Sequence, residues 1–288
     1  MTRKYGKVKI AIIGGSGLCQ MDELEKAGDI RVMTPFGSPS APIRIGRIAG
    51  ITCAFLPRHG KGHALLPCEI PQKANMYALK SLGVETVIAV SAVGSLMENL
   101  PPGHFVFPDQ LVDETKRREY TFFGSGAVAH VSMAHPFCNA LSRILHERAE
   151  ALGIPSRIGG VYICMEGPAF STKAESAFHR NMGYSIIGMT AAPEAKLARE
   201  AGLCYSPMAL VTDYDVWKEG EEVSSEKVMA TLAANIKNAL RLIADAVPRL
   251  AELPRSCTCA DMIKYAVFTP VKAMPAKTRK RLRLLLGD

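Results

Sequence analysis

Asp213 and Asp215 stand two residues apart directly after a long apolar run, and this spacing suggests chemistry. If the run is a strand, alternation of its side chains sends both carboxylates to the same side. Adjacent carboxylates repel each other, so one of them tends to keep a proton near neutral pH. The protonated group can donate a hydrogen bond while its ionised neighbour accepts one. This suits a purine edge, which offers N7 as acceptor and, in adenine, a 6-amino donor, although two solvated loop aspartates also fit the pattern.

Four short segments place glycine or hydroxyl residues where predicted strands end. They are GGSG at 14–17, PRHG at 57–60, SAVGS at 91–95 and GMT at 188–190. Glycine lets backbone N–H groups approach an anion closely, a hydroxyl adds a donor, and arginine supplies a planar charged fork. Together the four segments predict a phosphate site. Taken alone, GGSG also fits a tight turn, because it carries neither the GxGxxG nor the GxxxxGK[ST] fingerprint.

Apolar periodicity along the chain predicts alternating strands and helices. Predicted strands span residues 9–13, 51–56, 84–90, 157–165, 184–189 and 203–211, and predicted helices span 71–82, 136–152, 193–201 and 224–250. This alternation is typical of an α/β fold with a central sheet. Ligands of such sheets lie beyond the carboxyl ends of the strands, where the polar segments are predicted.

The length of 288 residues allows one large α/β domain or two. We favour one, because neither a linker nor an internal repeat interrupts the middle of the chain. The first residues are basic and then only briefly apolar, which does not fit a secretory signal. Since no run approaches 18 uncharged apolar residues, we expect a cytoplasmic protein with no membrane partner.

The net charge of +8 is concentrated at the carboxyl end. The last 17 residues hold six Lys or Arg against one Asp and so supply +5 of the +8. The remaining body has no basic stripe, so we expect no nucleic-acid partner. We divide the chain into a catalytic domain at 1–270 and a basic tail at 271–288, which we expect to be solvated or packed on another subunit.

Eight cysteines are scattered along the chain without a CxxC pair or a regular zinc-ligand spacing. In a cytoplasmic protein we expect reduced thiols, several of them buried, and no structural metal. The redox state of Cys257 and Cys259, which form a CTC motif, stays open because intracellular disulfides occur in hyperthermophiles.

Six longer motifs make the functional prediction specific. They are IIGGSGL at 12–18, RHGKGH at 58–63, SAVGSL at 91–96, EGPAFSTKAES at 166–176, MTAAPEAKLAREAGLCY at 189–205 and TDYDVW at 212–217. Their order and spacing resemble those of the nucleoside phosphorylases of the trimeric purine class over residues 9–250. The resemblance implies a single-domain nucleoside phosphorylase fold, with a central mixed β-sheet flanked by helices. It also implies a homotrimer or a dimer of trimers.

The resemblance implies cleavage of a purine ribosidic bond by inorganic phosphate, which is a co-substrate, with no metal and no organic cofactor. It assigns phosphate binding to Ser16, Arg58, His59, Ser91, Ala92 and Thr190. Met189 would lie under the ribose, Phe170 and Ser171 would flank the base, and His130, Val228 and Met229 would line the 5′ end, partly across a subunit interface. Asp213 would lie near N7 and Asp215 near the 6-amino group. A protonated Asp213 then acts as the general acid, while bound phosphate faces the developing ribosyl cation.

The aspartates also bear on the choice of substrate. Members of the family that prefer 6-oxopurines carry Asn at the position of Asp213, so adenine is the expected base. An apolar 5′ lining would favour a methylthio group over a hydroxyl by about 1–3 kcal/mol. We therefore expect S-methyl-5′-thioadenosine as substrate. Ser225, where relatives often have an apolar residue, leaves a broader purine nucleoside phosphorylase acting on adenosine, inosine or guanosine as the alternative.

Two other classes of protein are weighed against this interpretation. A dinucleotide-dependent oxidoreductase needs GxGxxG and an acidic residue about 20 positions further on, whereas GGSG follows the first strand here. An RNA- or membrane-associated binding protein could use the basic tail, and truncation of residues 272–288 would separate that role from catalysis.

Overall fold

The structure is a computed structural model and describes residues 7–15, 25–220 and 225–287. The described strands are β1 (Ile10–Gly14), β2 (Glu25–Ile30), β3 (Ile43–Ile48), β4 (Ile51–Pro57), β5 (Thr86–Ser95), β6 (Phe105–Phe107), β7 (Gln110–Asp113), β8 (Ser156–Ile158), β9 (Val161–Cys164), β10 (Ile186–Gly188) and β11 (Cys204–Asp213). The described α-helices are α1 (Gln72–Ser81), α2 (Asn139–Ala151), α3 (Lys173–Asn181), α4 (Ala191–Glu200), α5 (Ser225–Glu252) and α6 (Ala276–Leu286).

The strands form one mixed sheet around a parallel centre. Strand β1 lies between β4 and β5, parallel to both, and β11 runs parallel to β5. At its last residues, Gly94 and Ser95, β5 also pairs with β10 in the antiparallel direction, and β9 and β7 follow β10. The predicted α/β fold with a central mixed sheet is confirmed.

The two faces of the sheet are covered by different helices because side chains alternate along each buried strand. Ala11 and Ile13 of β1 belong to one core cluster, which includes side chains of α1 and α4. Ile10 and Ile12 belong to a second cluster, which includes side chains of α2 and α5. The polar strand ends are thus held at one edge of a sheet buried on both faces.

The predicted strand at 157–165 is wrong in one respect, because it is two strands. Gly159 and Gly160 separate β8 from β9 and have φ values of +87° and +108°. Side chains with a Cβ rarely adopt this backbone region, so two consecutive glycines allow a turn inside an apolar run. As a result β8 pairs with β6, while β9 pairs with β7 and β10.

The carboxyl-terminal segment packs on its own chain, whereas we expected a tail that is solvated or packed on another subunit. Its helix α6 buries Leu282 and Leu285 in the same core cluster as the first face of the sheet. The hydroxyl of Thr278 donates to the carbonyl of Ser125 at 2.7 Å. The sequence did not predict this packing, because the apolar residues that anchor the helix are interspersed with arginine and lysine. Among the described residues, no helix has both the length and the apolar character needed to cross a membrane.

Candidate active site

The carboxyl ends of β1 and β4 lie side by side and form one wall of the candidate site. Gly14 pairs with Pro57 in the parallel register of the two strands. The N–H of Arg58 donates to the carbonyl of Gly14 at 2.9 Å, so Arg58 leaves the sheet beside the glycine-rich segment. The predicted phosphate ligand Ser16 lies outside the described residues.

Arg58 is buried and is held by Glu194 of α4. Its Nε lies 2.5 Å from Oε1 of Glu194, its Nη2 lies 3.1 Å from Oε2, and its Nη1 donates to the carbonyl of Val90 at 2.8 Å. The hydroxyl of Tyr205 also donates to Glu194, at 2.8 Å. Burial alone would lower the pKa of Arg58, but the charge and hydrogen bonds of Glu194 outweigh it and raise the pKa. Of the five guanidinium N–H donors, two remain for an anion.

His59 is neutral at physiological pH in this arrangement. Burial lowers its pKa from the usual 6.5 to about 4, and the nearby Arg58 and His63 act in the same direction against a hydrogen bond to Leu65. Nδ1 lies 2.9 Å from the carbonyl of Leu65 and must donate to it, because a carbonyl only accepts. Nε2 therefore carries the lone pair and can accept from a protonated phosphate oxygen. His63 stacks on the ring at 4.1 Å between centroids.

The central strand β5 is open to a ligand at Ser91 and Ala92. The residues on both sides of this pair are buried, whereas Ser91 is half-buried and Ala92 is exposed. Thr190 immediately precedes α4, and its side chain does not cap the helix. Its hydroxyl is therefore available together with the first N–H groups of α4, at the helix end that attracts anions.

Tyr162 lies close to both Ser91 and Thr190, although we assigned it no role from its position in the sequence. Burial raises the pKa of its hydroxyl, which lies close enough to the side chains of Thr190 and Ser91 for both to lower that pKa in part. Among the described residues, none is aligned with this hydroxyl as a full hydrogen-bond partner. A Cβ at Gly188 would lie 2.0 Å from the hydroxyl, so only glycine leaves room for it.

Asp213 and Asp215 share one corner, but not through strand alternation as we expected. Asp213 is the last residue of β11, and Asp215 lies beyond it with φ +53°. The backbone turns back, so that the N–H of Asp215 donates to Oδ1 of Asp213 at 2.8 Å. The hydroxyl of Thr212 donates to Oδ2 at 2.7 Å. Burial raises the pKa of Asp213, repulsion from Asp215 adds less, and these two hydrogen bonds act against both.

Gly94 provides the space in which the two aspartates meet. A Cβ at this position would lie 2.9 Å from Oδ1 of Asp213, 3.1 Å from Cγ2 of Ile187 and 3.3 Å from Cβ of Asp215. The aspartates therefore contact the backbone of β5 three residues beyond Ser91. Oδ2 of Asp215 is buried and has no hydrogen-bond partner among the described residues, which leaves it ready to accept from a ligand.

Met189 is held from behind by Arg118. This buried guanidinium donates to the carbonyls of Met189, Met165 and Glu166. The sulfur of Met189 packs against Gly167, where a Cβ would lie 2.5 Å from it. Arg118 and Gly167 thus hold the EGPAF segment against Met189, the predicted ribose contact. The sequence pattern does not show these contacts.

Phe170 and Ser171, the predicted base-flanking residues, have opposite exposures. Phe170 is exposed, while Ser171 is buried directly before the Thr172 cap of α3. The indole N–H of Trp217 donates to the carbonyl of Ser95 at 2.7 Å, and Arg180 stacks on its ring. Trp217 lines a separate cleft of about 1100 Å³ that contains none of the predicted site residues.

The residues predicted at the 5′ end lie on exposed parts of this chain. His130 is exposed, its N–H donates to the carbonyl of Ala266, and its ring packs edge-on against Phe268. Val228 is half-buried and Met229 is 63% exposed, both near the start of α5. This exposure fits a pocket completed by a second subunit, and that assignment stays a prediction.

From the sequence we assigned no role to Glu194, Tyr162 or Arg118, which fix the site, and we placed Gly94 in a phosphate-binding segment and not beside the aspartates. A signal existed for Glu194, because it stands in the alanine-rich run AAPEAKLA, and a glutamate buried in such a helix turn requires a cation. The others act through contacts between distant segments. The predicted roles of the site residues stay predictions, but the geometry brings Arg58, Ser91, Thr190, Asp213 and Asp215 to neighbouring strand ends.

Comparison with known proteins identifies the family of this chain. Residues 9–248 match the phosphorylase superfamily. The chain is 49% identical to S-methyl-5′-thioadenosine phosphorylase of Geobacter sulfurreducens over 281 residues, which cover 97% of this chain and 98% of that protein. It is 50% identical to the enzyme of the same name from Thermofilum pendens over 262 residues, or 91% and 99% of the two chains.

Solved structures give the same result. A methylthioadenosine phosphorylase from an antarctic soil metagenomic library superposes with a TM-score of 0.93 at 49% identity, covering 97% of this chain and 99% of that one. Methylthioadenosine phosphorylase from Schistosoma mansoni in complex with adenine superposes with a TM-score of 0.85 at 37% identity, covering 91% and 99%.

Proposed function

This chain belongs to the phosphorylase superfamily, and we propose that its site carries out phosphorolysis of S-methyl-5′-thioadenosine. Inorganic phosphate is the second substrate, and the products are adenine and 5-methylthioribose 1-phosphate. The enzyme is a pentosyltransferase of purine and methionine salvage, as its relatives' names support. The observation that carries the proposal is the meeting of Asp213 and Asp215 over Gly94, beside the strand ends that offer Arg58, Ser91 and Thr190.

Phosphate binds where several donors converge. The two unused N–H groups of Arg58, the hydroxyls of Ser91 and Thr190 and the first N–H groups of α4 all favour an anion. His59 contributes Nε2, Ala92 offers its backbone at the open part of β5, and Ser16 is assigned to this group from its motif. Holding phosphate in a fixed position converts attack on the ribose into an effectively unimolecular step.

The purine leaves as a proton arrives. The bond between C1′ and N9 breaks, its electrons enter the purine, and the proton of Asp213 moves to N7, while a phosphate oxygen forms the new bond to C1′. Burial of Asp213 favours the protonated form that this step requires. The free Oδ2 of Asp215 accepts from the 6-amino group of adenine, which selects the base.

The remaining pocket is assigned to the sugar. Met189 contacts the ribose, Phe170 and Ser171 flank the base, and His130, Val228 and Met229 line the methylthio end, with His130 supplied by a neighbouring subunit of a trimer or a dimer of trimers. The reaction itself needs no metal or organic cofactor. The enzyme acts in the cytoplasm on small molecules, without nucleic acid or membrane.

One assay tests the proposal. Release of free base is measured with methylthioadenosine, adenosine, inosine and methylthioinosine, with and without phosphate, and kcat/KM values are compared. We expect strict dependence on phosphate, the highest kcat/KM for methylthioadenosine and no immediate loss of rate when a chelator is added. Full turnover without phosphate would contradict phosphorolysis, and equal kcat/KM for inosine would favour the broader purine nucleoside phosphorylase.

A further inference from the structure

Four cysteines from three separate parts of the chain meet in one cluster, away from the candidate active site. The sulfur atoms of Cys138, Cys204, Cys257 and Cys259 all lie within 4.8 Å of one another. Cys138 immediately precedes α2, Cys204 is the first residue of β11, and the other two follow α5. Three of them are buried and Cys257 is half-buried. The sequence did not reveal this cluster because Cys138, Cys204 and the CTC motif are far apart in the chain.

The spacing of the sulfurs suits one tetrahedral metal ion. Zinc bound by four thiolates has Zn–S distances of about 2.3 Å, which places neighbouring sulfurs about 3.8 Å apart. In the structure the sulfurs of Cys204 and Cys257 are 3.3 Å apart, and no pair exceeds 4.8 Å. Small side-chain movements would therefore bring all four into a tetrahedron.

The surroundings also suit a negatively charged centre. Four thiolates and one Zn²⁺ carry a net charge of −2, which is costly to bury without a nearby cation. Nη1 of the buried Arg199 lies 3.7 Å from the sulfur of Cys259. Contacts of this kind orient metal ligands and strengthen metal binding.

We propose that Cys138, Cys204, Cys257 and Cys259 bind one zinc ion in a structural site. Four protein ligands leave no open position for substrate, which is typical of structural rather than catalytic zinc. Cys204 and Asp213 are the two ends of β11, so at about 3.3 Å per residue the cluster lies about 30 Å from the aspartate pair. The ion would cross-link the segment after α5 to the start of β11 and to the start of α2. Its binding releases the protons of the four thiols. This reverses our sequence-based expectation of no structural metal.

Metal analysis of the whole protein tests the proposal. After purification with a thiol reductant and dialysis, we expect about one zinc per chain, and all eight cysteines should titrate as free thiols once the protein is chelated and unfolded. Cobalt added to the metal-free protein should give the visible absorption of a tetrahedral thiolate site. Removal of zinc should lower Tm and should increase proteolysis of residues 253–261, while kcat at low temperature is unchanged.

A matched pair of variants locates the ligands. Cys257→Ser should weaken Zn²⁺ binding by about 100-fold or more. Cys68→Ser changes another half-buried free cysteine that lies outside the cluster, and should leave Zn²⁺ binding unchanged.

Three outcomes overturn the proposal. Peptide mapping without reductant could show disulfides between these cysteines in the freshly isolated protein. The reduced protein could hold four free thiols and bind Zn²⁺ more weakly than about 1 µM. Cys257→Ser and Cys68→Ser could bind Zn²⁺ equally well. If Cys257→Ser does not fold, the zinc content and thiol count of the unaltered protein still decide.

Discussion

Glu194 and Arg58 are 136 positions apart in the chain and form an ion pair that is almost completely shielded from water, with side-chain exposures of 1% and 3%. Two parallel contacts fix the plane of the guanidinium, as in other bidentate pairs. The pair joins the first turn of α4 to the end of β4. Glu194 therefore positions the cation that we assign to phosphate, although we assign it no contact with phosphate itself.

The first prediction is that Glu194→Gln weakens phosphate binding. Glutamine keeps an oxygen acceptor but removes the charge, so Arg58 loses part of its orientation. We expect KM for phosphate to rise about 10-fold or more, with a smaller change in KM for the nucleoside. Tm should also fall, because a buried cation is left without its partner. Initial rates at varied phosphate and at varied nucleoside give the two KM values.

Asp245→Asn is the matched control. It breaks a partly exposed ion pair with Arg148 on the other face of the sheet. KM for phosphate should not change in this variant. An equal rise of KM for phosphate and nucleoside in Glu194→Gln would show that Glu194 supports the fold and not the anion site.

The second prediction concerns the choice of base. Asp213→Asn combined with Asp215→Asn should lower kcat/KM for methylthioadenosine by a factor equivalent to about 1–3 kcal/mol or more. The kcat/KM for 6-oxopurine nucleosides should stay the same or rise. Asparagine is suitable at position 215 because it tolerates the left-handed backbone found there. Equal losses with adenine and 6-oxopurine substrates would show that the pair does not select the base.

The pH dependence of the single variant Asp213→Asn provides a separate check. Burial raises the pKa of Asp213, so its acidic proton persists to higher pH than that of an ordinary aspartic acid. The kcat of the unaltered enzyme should fall as pH rises through that pKa, because the protonated form is the general acid. Asparagine does not titrate, so the variant should lack this fall.

The third prediction is that Gly94→Ala damages nucleoside binding while phosphate binding persists. The new Cβ would lie 2.9 Å from Oδ1 of Asp213, closer than side chains normally approach, so the aspartate must move. We expect kcat/KM for methylthioadenosine to fall at least about 10-fold, since small displacements of positioning groups are costly. The thermal shift produced by phosphate should remain. Its loss together with nucleoside binding would indicate general collapse of β5.

The sequence predicted the long elements well because their residues repeat with the period of the structure. The central strands and α1, α2, α4 and α5 bury enough consecutive turns or alternating residues for the pattern to appear. β6 has only three residues, too few for a period to be visible, and β8 was merged with β9 in one predicted strand. Helix α6 was missed because its basic residues dominated the interpretation.

The site was predictable only in its parts. Motifs identified Arg58, Thr190 and Asp213 individually, because glycine, hydroxyl and charged residues at strand ends have few structural uses. The contacts between them depend on tertiary structure. Neither the approach of Glu194 to Arg58 nor the position of Tyr162 over Gly188 leaves a periodic trace in the sequence, and the four cysteines converge from segments without any metal-binding spacing.

The fourth prediction is that His59 makes stability depend on pH. Its folded pKa is about 4, below the usual 6.5. Between these values the unfolded chain binds more protons than the folded one, so stability present above about pH 6.5 is lost as pH falls toward 4. After allowance for solvent screening we expect a loss of about 1–2 kcal/mol from this group. Calorimetry at pH 7 and pH 5 without phosphate measures it.

His59→Gln is the control for that measurement, because glutamine does not titrate in this range. The difference in Tm between pH 7 and pH 5 should be smaller in the variant than in the unaltered protein. An identical difference in both would assign the pH dependence to other groups.

The fifth prediction concerns a site shared between subunits. His130 is exposed on this chain and we assign it to the 5′ end of a neighbour's substrate, so His130→Ala should raise KM for methylthioadenosine more than KM for adenosine. Closed symmetric assemblies complete every such site with identical interfaces. Co-expression of an His130→Ala chain with an Asp213→Ala chain tests this directly. In mixed oligomers, sites that take Asp213 from the first chain and His130 from the second are intact.

Random mixing of equal amounts should make roughly a quarter of all sites intact. The low KM for methylthioadenosine should reappear in that fraction, although neither variant shows it alone. The two purified variants assayed together without subunit exchange are the control and should show no recovery. If co-expressed oligomers are no more active than His130→Ala alone, each site is built within one chain, and the exposed ring of His130 has a structural role against Phe268 of its own surface.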